Sequence, residues 1–354
     1  MSTPVSELEQ VTIPSDVLGA YFGEVGPDFT DRVRKIGNGM VNLTLLVNHT
    51  EGNRGLVVLQ RLSGMFDEGV VEDATVVAGH LAGQGWEVPE TVLTRSGDTS
   101  IRDRTRSDEL PQGWLWRATT FIECETPPNT ANQEEYRAVG ALLGRFHQSL
   151  RGLEYQPKYA IDHFHDTEHH IGELRRLQDH PEMPTWAKEM AADVLTDYER
   201  LPAIPAEASM PQLIHGDPRT GNMLFRDGEP FTLIDFDTFM VHPIWTDLGD
   251  LIRSLVEDAA EKGGELPLAD IRQVVDGYRT SAELDYDPDE FFAWSLTAAQ
   301  RITLELTSRF LNDTVVPYFA PDADIYPTRH HFDLERATLQ RRVYNNLDQP
   351  QQGE

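Results

Sequence analysis

Cysteine is almost missing from this chain: Cys124 stands alone in 354 residues. A single cysteine excludes an internal disulfide and fits a reducing, cytoplasmic setting, where it is expected as a small buried residue. Lysine is nearly as scarce, with Lys35, Lys158, Lys188 and Lys262 set against 26 arginines. No run approaches the roughly 18 uninterrupted apolar residues of a membrane-spanning helix. The first residues, MSTPVSELEQVTIPSD, lack a basic stretch followed by an apolar core, so no signal peptide is expected. Positive charge is short overall, 30 Lys and Arg against 59 Asp and Glu, a formal net charge of −29. Such a surface argues against a phosphate-backbone footprint, so nucleic acid is not expected as partner; with no spanning run and 39% hydrophobic residues, neither is a membrane. It suits a salt-rich cytoplasm or an arginine-biased genome. It leaves room for a small anion, which needs only local backbone N–H groups, one cation or a metal.

What is present is concentrated in residues 213–237. LIHGDPRTGNMLF is followed, after a short gap, by FTLIDFD. Asp217 closes an HGD triplet, Asn222 lies five residues on, and Asp235 ends the second apolar segment. The turn Arg226-Asp227-Gly228 joins the two segments as a hairpin. An acid, an amide and a second acid in this order are the groups a kinase-type phosphotransfer needs. Asp217 would accept or orient the proton of the attacking hydroxyl, and Asn222 and Asp235 are hard oxygen ligands suited to the Mg2+ that bridges ATP phosphates. The competing reading is a surface hairpin whose Asp and Asn only make turn hydrogen bonds.

Elsewhere the pattern predicts three strands within 31–62, a helix over 68–84 and strands over 88–95 and 114–122. The order β-β-β-α-β-β is that of a kinase N-lobe. A Pro-rich connector, 123–130, reads as a hinge. Helices are predicted over about 131–151, 168–180, 185–201, 246–261, 267–281, 287–313 and 329–346, and 349–354 as a frayed tail. The expected class is α+β and bilobal: residues 1–122 as a nucleotide-binding lobe with a five-stranded sheet and one helix, 123–130 as hinge, 131–354 as a helical lobe with the catalytic loop and substrate pocket.

With HGD-x-x-x-x-N, I-D-x-D and then Asp247-Leu248-Gly249-Asp250, the chain resembles the aminoglycoside phosphotransferase/choline kinase superfamily, over nearly its whole length. Within it, the segments GNGMVNLTLLV, LVVLQRL, HFHDTEHH, IDFDTFMVHPIWTDLGDLIRS and ELTSRFLND are most similar to bacterial N-acetylhexosamine 1-kinases. The resemblance implies a protein-kinase-like fold and ATP-dependent phosphorylation of the anomeric hydroxyl of GlcNAc, GalNAc or a related hexose. It also implies sugar contacts from Arg309 and Tyr318.

Individual roles follow. His215 is expected to stiffen the loop by hydrogen bonding to neighbouring backbone. Asp237 either aids the metal shell or fixes the loop. Asp247 and Asp250 either bond the catalytic loop or complement a helix N-terminus. Gly37 and Gly39 flank Asn38 in a glycine turn where backbone can approach phosphate; Met40 follows, where related hexosamine kinases tend to carry a polar residue. No lysine lies between 35 and 158, so Gln60 or Arg61 stands in the place of the third-strand lysine. Strand alternation sends those two to opposite faces, with Gln60 expected toward the nucleotide and Arg61 as runner-up. Glu123 and Cys124 fall at the hinge, where backbone would hold adenine. His163, His165, His169 and His170 suggest a metal site, since His165 and His169 are spaced i,i+4 as ligands on one helix face are, but no cysteine and no third ligand at a typical spacing joins them; this segment is read instead as a loop beside the sugar pocket. Alternatives are a kinase for another alcohol, such as an aminoglycoside, choline or homoserine, and a non-catalytic nucleotide-binding protein.

Overall fold

A computed structural model describes residues 13–36, 42–49, 55–105, 112–125, 133–316 and 329–348. The chain divides into two compact units, one of residues 1–83 and 89–123, the other of 84–88 and 124–354.

The first unit is built on an antiparallel sheet of β1 (Val33–Lys35), β2 (Leu43–His49), β3 (Gly55–Arg61), β4 (Ser100–Arg102) and β5 (Leu115–Thr120), in the order β1-β2-β3-β5-β4. Alternation along the strands separates the two faces. Leu45, Val47, Val57, Leu59, Trp116 and Ala118 face one core, closed by α1 (Ser15–Phe22) through Val17, Tyr21 and Phe22. Trp116 is buried there with its polar atoms met: Nε1 donates to Asp103 at 2.9 Å, and the Tyr21 hydroxyl donates to its carbonyl at 3.2 Å. α2 (Glu68–Gly83) completes the unit.

Two expectations are corrected here. Helix α1, which starts directly after Pro14, was not predicted from the sequence. The strand expected over 88–95 is not one. Its only bridge is Thr91 to Thr119, with Val92 N–H donating to Ala118 and Thr120 N–H donating to Glu90. Glu90 N–H donates to the Thr120 hydroxyl at 3.0 Å instead of extending the ladder, and the Thr94–Asp98 turn draws the chain away. The edge position on β5 passes instead to β4.

The second unit is mainly helical: α3 (Gln133–Leu150), α4 (Thr167–Leu177), α5 (Thr185–Arg200), α6 (Ile244–Glu261), α7 (Leu268–Ser281), α8 (Pro288–Asp313) and α9 (Arg329–Leu347). Its core joins α4, α5, α8 and α9 through Ile171, Leu174, Val194, Leu304, Leu311 and Tyr344. None of the described helices is long and apolar enough to cross a membrane. α3 and α7 pack with backbones almost touching. A Cβ on Gly277 would lie 2.1 Å from the Arg137 carbonyl, and one on Gly140 1.9 Å from that of Val274, so only glycine allows the crossing. Two short antiparallel pairs complete the unit: β6 (Pro211–Ile214) with β9 (Met240–Pro243), and β7 (Met223–Arg226) with β8 (Glu229–Leu233).

Two further expectations change. Cys124 is exposed rather than buried. His165 is not on a helix face with His169, because Asp166 caps α4 by accepting from His169 N–H at 3.0 Å, so the helix begins after His165. Gly37, Gly39, Met40, Tyr318, the tail 349–354 and residues 126–130 of the expected hinge lie outside the described residues.

Candidate active site

The β7–β8 hairpin turns at Asp227 and Gly228, both with positive φ (53° and 80°), the backbone of a tight two-residue turn that Asp-Gly favours. Its register pairs Met223 with Leu233, and Ile234 N–H donates to the Asn222 carbonyl at 2.9 Å. Local pairing therefore sets Asn222 beside the chain leading to Asp235. On the other side, β6 pairs with β9, Ile214 opposite Met240, and the Thr238 hydroxyl donates to the His215 carbonyl at 2.9 Å. The two pairings fold residues 215–222 and 234–239 against each other.

Asn222 Nδ2 donates to both the carbonyl (2.8 Å) and the carboxylate (3.1 Å) of Asp217. With its amide nitrogen so engaged, Asn222 keeps its side-chain oxygen as an acceptor. Asp235 is exposed, with φ at 70°. Burial, and then the charges of Asp250 and Asp235, push the Asp217 carboxyl up to about 7, against the counteracting Arg219, 3.5 Å away. Asp237 lies buried two residues from Asp235.

The loop bearing Asp217 is held from below. His215 is buried; its Nε2–H donates to the Ile234 carbonyl at 3.0 Å, and its Nδ1 accepts from Asp217 N–H at 3.2 Å. Burial lowers its pKa, consistent with a neutral ring doing both. Gly216 has φ 87°, and a Cβ there would lie 2.2 Å from the Thr238 carbonyl. Asp247, in the first turn of α6, accepts from the N–H groups of His215 (2.8 Å) and Gly216 (2.9 Å). His147 Nε2–H donates to the same carboxylate at 2.8 Å, and the Tyr278 hydroxyl, 2.7 Å from Nδ1, fixes the other side of the ring. The α3–α7 crossing brings this Tyr to this His. Burial tends to raise the Asp247 pKa, but the bond and charge of His147 outweigh it and hold it low.

A second buried pair touches the loop from α8. His165 Nε2–H donates to the Gly216 carbonyl at 2.6 Å, and its Nδ1 lies 3.5 Å from Glu305, whose other oxygen accepts from Thr167 at 2.7 Å. Burial pulls the His165 pKa down, yet Glu305 outweighs it and the net shift is upward. Beside the pair lies a cavity of about 520 Å3, with Phe164, Trp245, Ile302, Glu168 and Arg301 among its walls. Asp250 pairs with Arg253 at 2.7 Å rather than with the loop. His147, Tyr278, His165 and Glu305 carry no spacing signal that ties them to HGD, and only the fold brings them in; Arg219, two residues beyond Asp217, stands within the motif itself.

The remaining candidates belong to other elements. On β3, Gln60 donates to Thr44 Oγ1 at 3.2 Å and accepts from Arg117 Nε at 2.9 Å, while Arg61 sits on the Val57/Leu59 side with its guanidinium 4.6 Å from the Trp114 ring. Arg117, buried one strand over, is a cation the sequence did not single out. Glu123 and Cys124 are exposed. Arg309 is half-buried on α8, 5.8 Å from the Phe164 ring.

The family model of the APH phosphotransferase enzymes matches residues 32–284. The chain belongs to that family. No curated protein sequence matches it. Among solved structures, this APH phosphotransferase is similar to an amicoumacin kinase in complex with AMP-PNP, Ca2+ and Ami, with TM-score 0.60 and 16% identity over 94% of this chain and 92% of that one. An aminoglycoside phosphotransferase from Alicyclobacillus acidocaldarius gives 0.56 and 15% over 95% and 97%. A choline kinase from Cryptosporidium parvum gives 0.55 and 11% over 89% of each chain. At these identities the likeness is one of fold: the kinase-like α+β architecture, an antiparallel sheet followed by a larger helical part.

Proposed function

We propose that this APH phosphotransferase transfers the γ-phosphoryl group of ATP to the anomeric hydroxyl of an N-acetylhexosamine, GlcNAc or GalNAc, or of a related hexose. The observation that carries the kinase chemistry is the convergence of Asp217, Asn222 and Asp235 on one loop and hairpin. The sugar is supported by the resemblance to N-acetylhexosamine 1-kinases and by Arg309, a hydrogen-bonding cation lying over Phe164 beside the His165 loop.

Asp217 orients the acceptor hydroxyl and takes its proton as the oxygen bonds to the γ-phosphorus and the bond to the β,γ-bridging oxygen breaks, releasing ADP. A carboxyl pushed up to about 7 is matched to that proton transfer near neutral pH. His215, Asp247 and His165 hold the loop so that this oxygen stays in place. Asn222 and Asp235 would hold the divalent cation, and Asp237 supports their turn. The donor set fits: an amide oxygen and an exposed carboxylate are hard ligands, and Asp217, Asp235 and Asp250 repel one another until a cation is present. When bound, Mg2+ supplies charge neutralisation for the phosphates. The amicoumacin kinase complex with AMP-PNP and Ca2+ supports a nucleotide and a divalent cation here. The nucleotide would be bound through Gly37 and Gly39, the polar face of Gln60, and backbone near Glu123 and Cys124. Tyr318 joins Arg309 as a sugar contact.

A second reading, an amine-bearing alcohol as acceptor, is favoured by Asp166, Glu168 and Glu305 along the cavity. One experiment separates the two: ADP release from Mg-ATP against GlcNAc, GalNAc, glucose, galactose, choline, homoserine and kanamycin, from low to molar salt. Turnover confined to N-acetylated hexoses, with an acid-labile product, supports the anomeric kinase. Turnover on choline or kanamycin overturns the sugar assignment and leaves Asp217 in its role.

A further inference from the structure

Outside the catalytic loop, one cluster of side chains among the described residues has the chemistry of a metal site. Asp166 caps α4 with one carboxylate oxygen, which accepts from His169 N–H at 3.0 Å. The other oxygen lies 3.2 Å from His163 Nδ1. His163 and His169 stack with ring centroids 3.4 Å apart and planes within 4°. One ligand atom from each of the three lies within 4.8 Å of the others. Two neutral imidazoles and a carboxylate are a nitrogen-rich donor set that suits zinc, cobalt, nickel or copper and not magnesium or calcium.

The loop is preorganised. His163 has φ 55° and His165 φ 57°, a left-handed backbone that non-glycine residues hold only when the surroundings impose it. The surroundings are visible. His170 Nε2–H donates to the His163 carbonyl at 2.8 Å, and Asn312 Nδ2 on α8 donates to the His170 carbonyl at 3.0 Å. His165 is pinned to Gly216 from the same loop. The ligands therefore stand on a braced turn and the first turn of a helix, while the side chains of His163 and Asp166 remain about half exposed, at 49% and 46%.

We propose that His163, Asp166 and His169 form a binding site for a divalent transition-metal ion, with Zn2+ as the fitting case and water completing the shell. Ligand atoms around a tetrahedral zinc stand about 3.3 Å apart, given bonds of about 2.0–2.1 Å. The His163–Asp166 separation already matches that edge. The farther pair closes by no more than about 1.5 Å, within reach of torsions at exposed side chains. The parallel rings turn so that both nitrogens face one point, and the ion takes the place of the proton that His163 shares with Asp166. None of its three residues is a candidate ligand of the catalytic cation, and the proposal does not depend on the kinase reading.

The test uses the full-length chain without a polyhistidine tag, stripped with chelator and kept in excess Mg2+ so that the catalytic cation site is filled. Zn2+ and Co2+ are titrated by calorimetry. The expected result is one saturable equivalent, not displaced by Mg2+ or Ca2+. Affinity falls by at least the roughly 10–100-fold typical of weakened metal shells in His163→Ala and His169→Gln. Asp166→Asn is the control for folding, because asparagine caps a helix as well as aspartate yet is a poorer ligand; it keeps its melting temperature and loses affinity. A zinc-edge anomalous peak among the three side chains in crystals of the complex would locate the ion. No saturable binding, or binding unchanged in the His163→Ala/His169→Gln double variant, overturns the proposal.

Discussion

Asp247 lies directly under Gly216, its Oδ1 2.9 Å from the glycine N–H, although 31 residues separate them in the chain. The same carboxylate accepts from His215 N–H and from His147, so three donors converge on one fully buried acid. Asparagine there presents a donor where an acceptor is needed and leaves one N–H unmet. Asp247→Asn is expected to cost about 3 kcal/mol of stability, the range for breaking a buried pair. Loosening the loop by an ångström is expected to lower kcat about 100-fold. Denaturant titration and steady-state kinetics measure the two; a stable variant with full activity would show that Asp247 does not hold the loop.

Asp217→Asn separates chemistry from fold. It removes the proposed proton acceptor, and a loss of roughly 10²–10⁴-fold in kcat is expected. It also removes one of three mutually repelling carboxylates, so the melting temperature is expected to hold or rise. Asp235→Asn is expected instead to raise the Mg2+ concentration for half-maximal rate, by about tenfold or more. Equal Mg2+ dependence in both variants would remove Asp235 from the metal shell.

On β3 the two neighbours divide their tasks. Gln60 lies in a polar row with Thr44 and Arg117, whereas Arg61 covers Trp114. Gln60→Ala is expected to raise the KM for ATP roughly fivefold, the equivalent of one hydrogen bond. Arg61→Ala is expected to cost about 1 kcal/mol of stability through the lost cation–π contact, with little change in KM. The reverse pattern would place Arg61 toward the nucleotide.

Glu257 sets an acid limit on stability. Burial tends to raise its pKa, but Arg253 and Arg336, the latter 3.0 Å away, outweigh it and hold the group below its usual 4.5. A depressed folded pKa adds stability above pH 4.5 that is lost as pH falls through the lower folded value. Glu257→Gln is therefore expected to be destabilised by about 3 kcal/mol at pH 7. The gap from the parent should close on acidification below pH 4.5, read by urea titration at each pH. A gap independent of pH would mean that packing, not charge, is lost.

The α+β kinase-like class was legible in the order of periodic segments. The catalytic candidates were legible because their geometry is local: Asp217, Asn222 and Asp235 lie within one loop and one hairpin, and Asp227-Gly228 sets its register. Hydrophobic period also found α3 to α9 within a few residues of their ends. The edge strand was misread because an apolar run states only that a strand is possible. Whether it pairs depends on the turn that follows it and on the neighbour that takes β5's edge.

The sequence by itself determined how the candidate residues are ordered along the chain and which of them a loop and a hairpin bring together, since turn type and strand alternation act over a few residues. The tertiary structure alone decided what holds them. His147 comes to Asp247 across 100 residues because Gly140 and Gly277 let α3 touch α7, and α8 brings Glu305 to His165 across 140 residues of chain. Asp166 ends the loop before α4, so His163, not His165, shares a surface with His169. Burial and like charge then set the Asp217 proton affinity, and those exist only once the chain has folded.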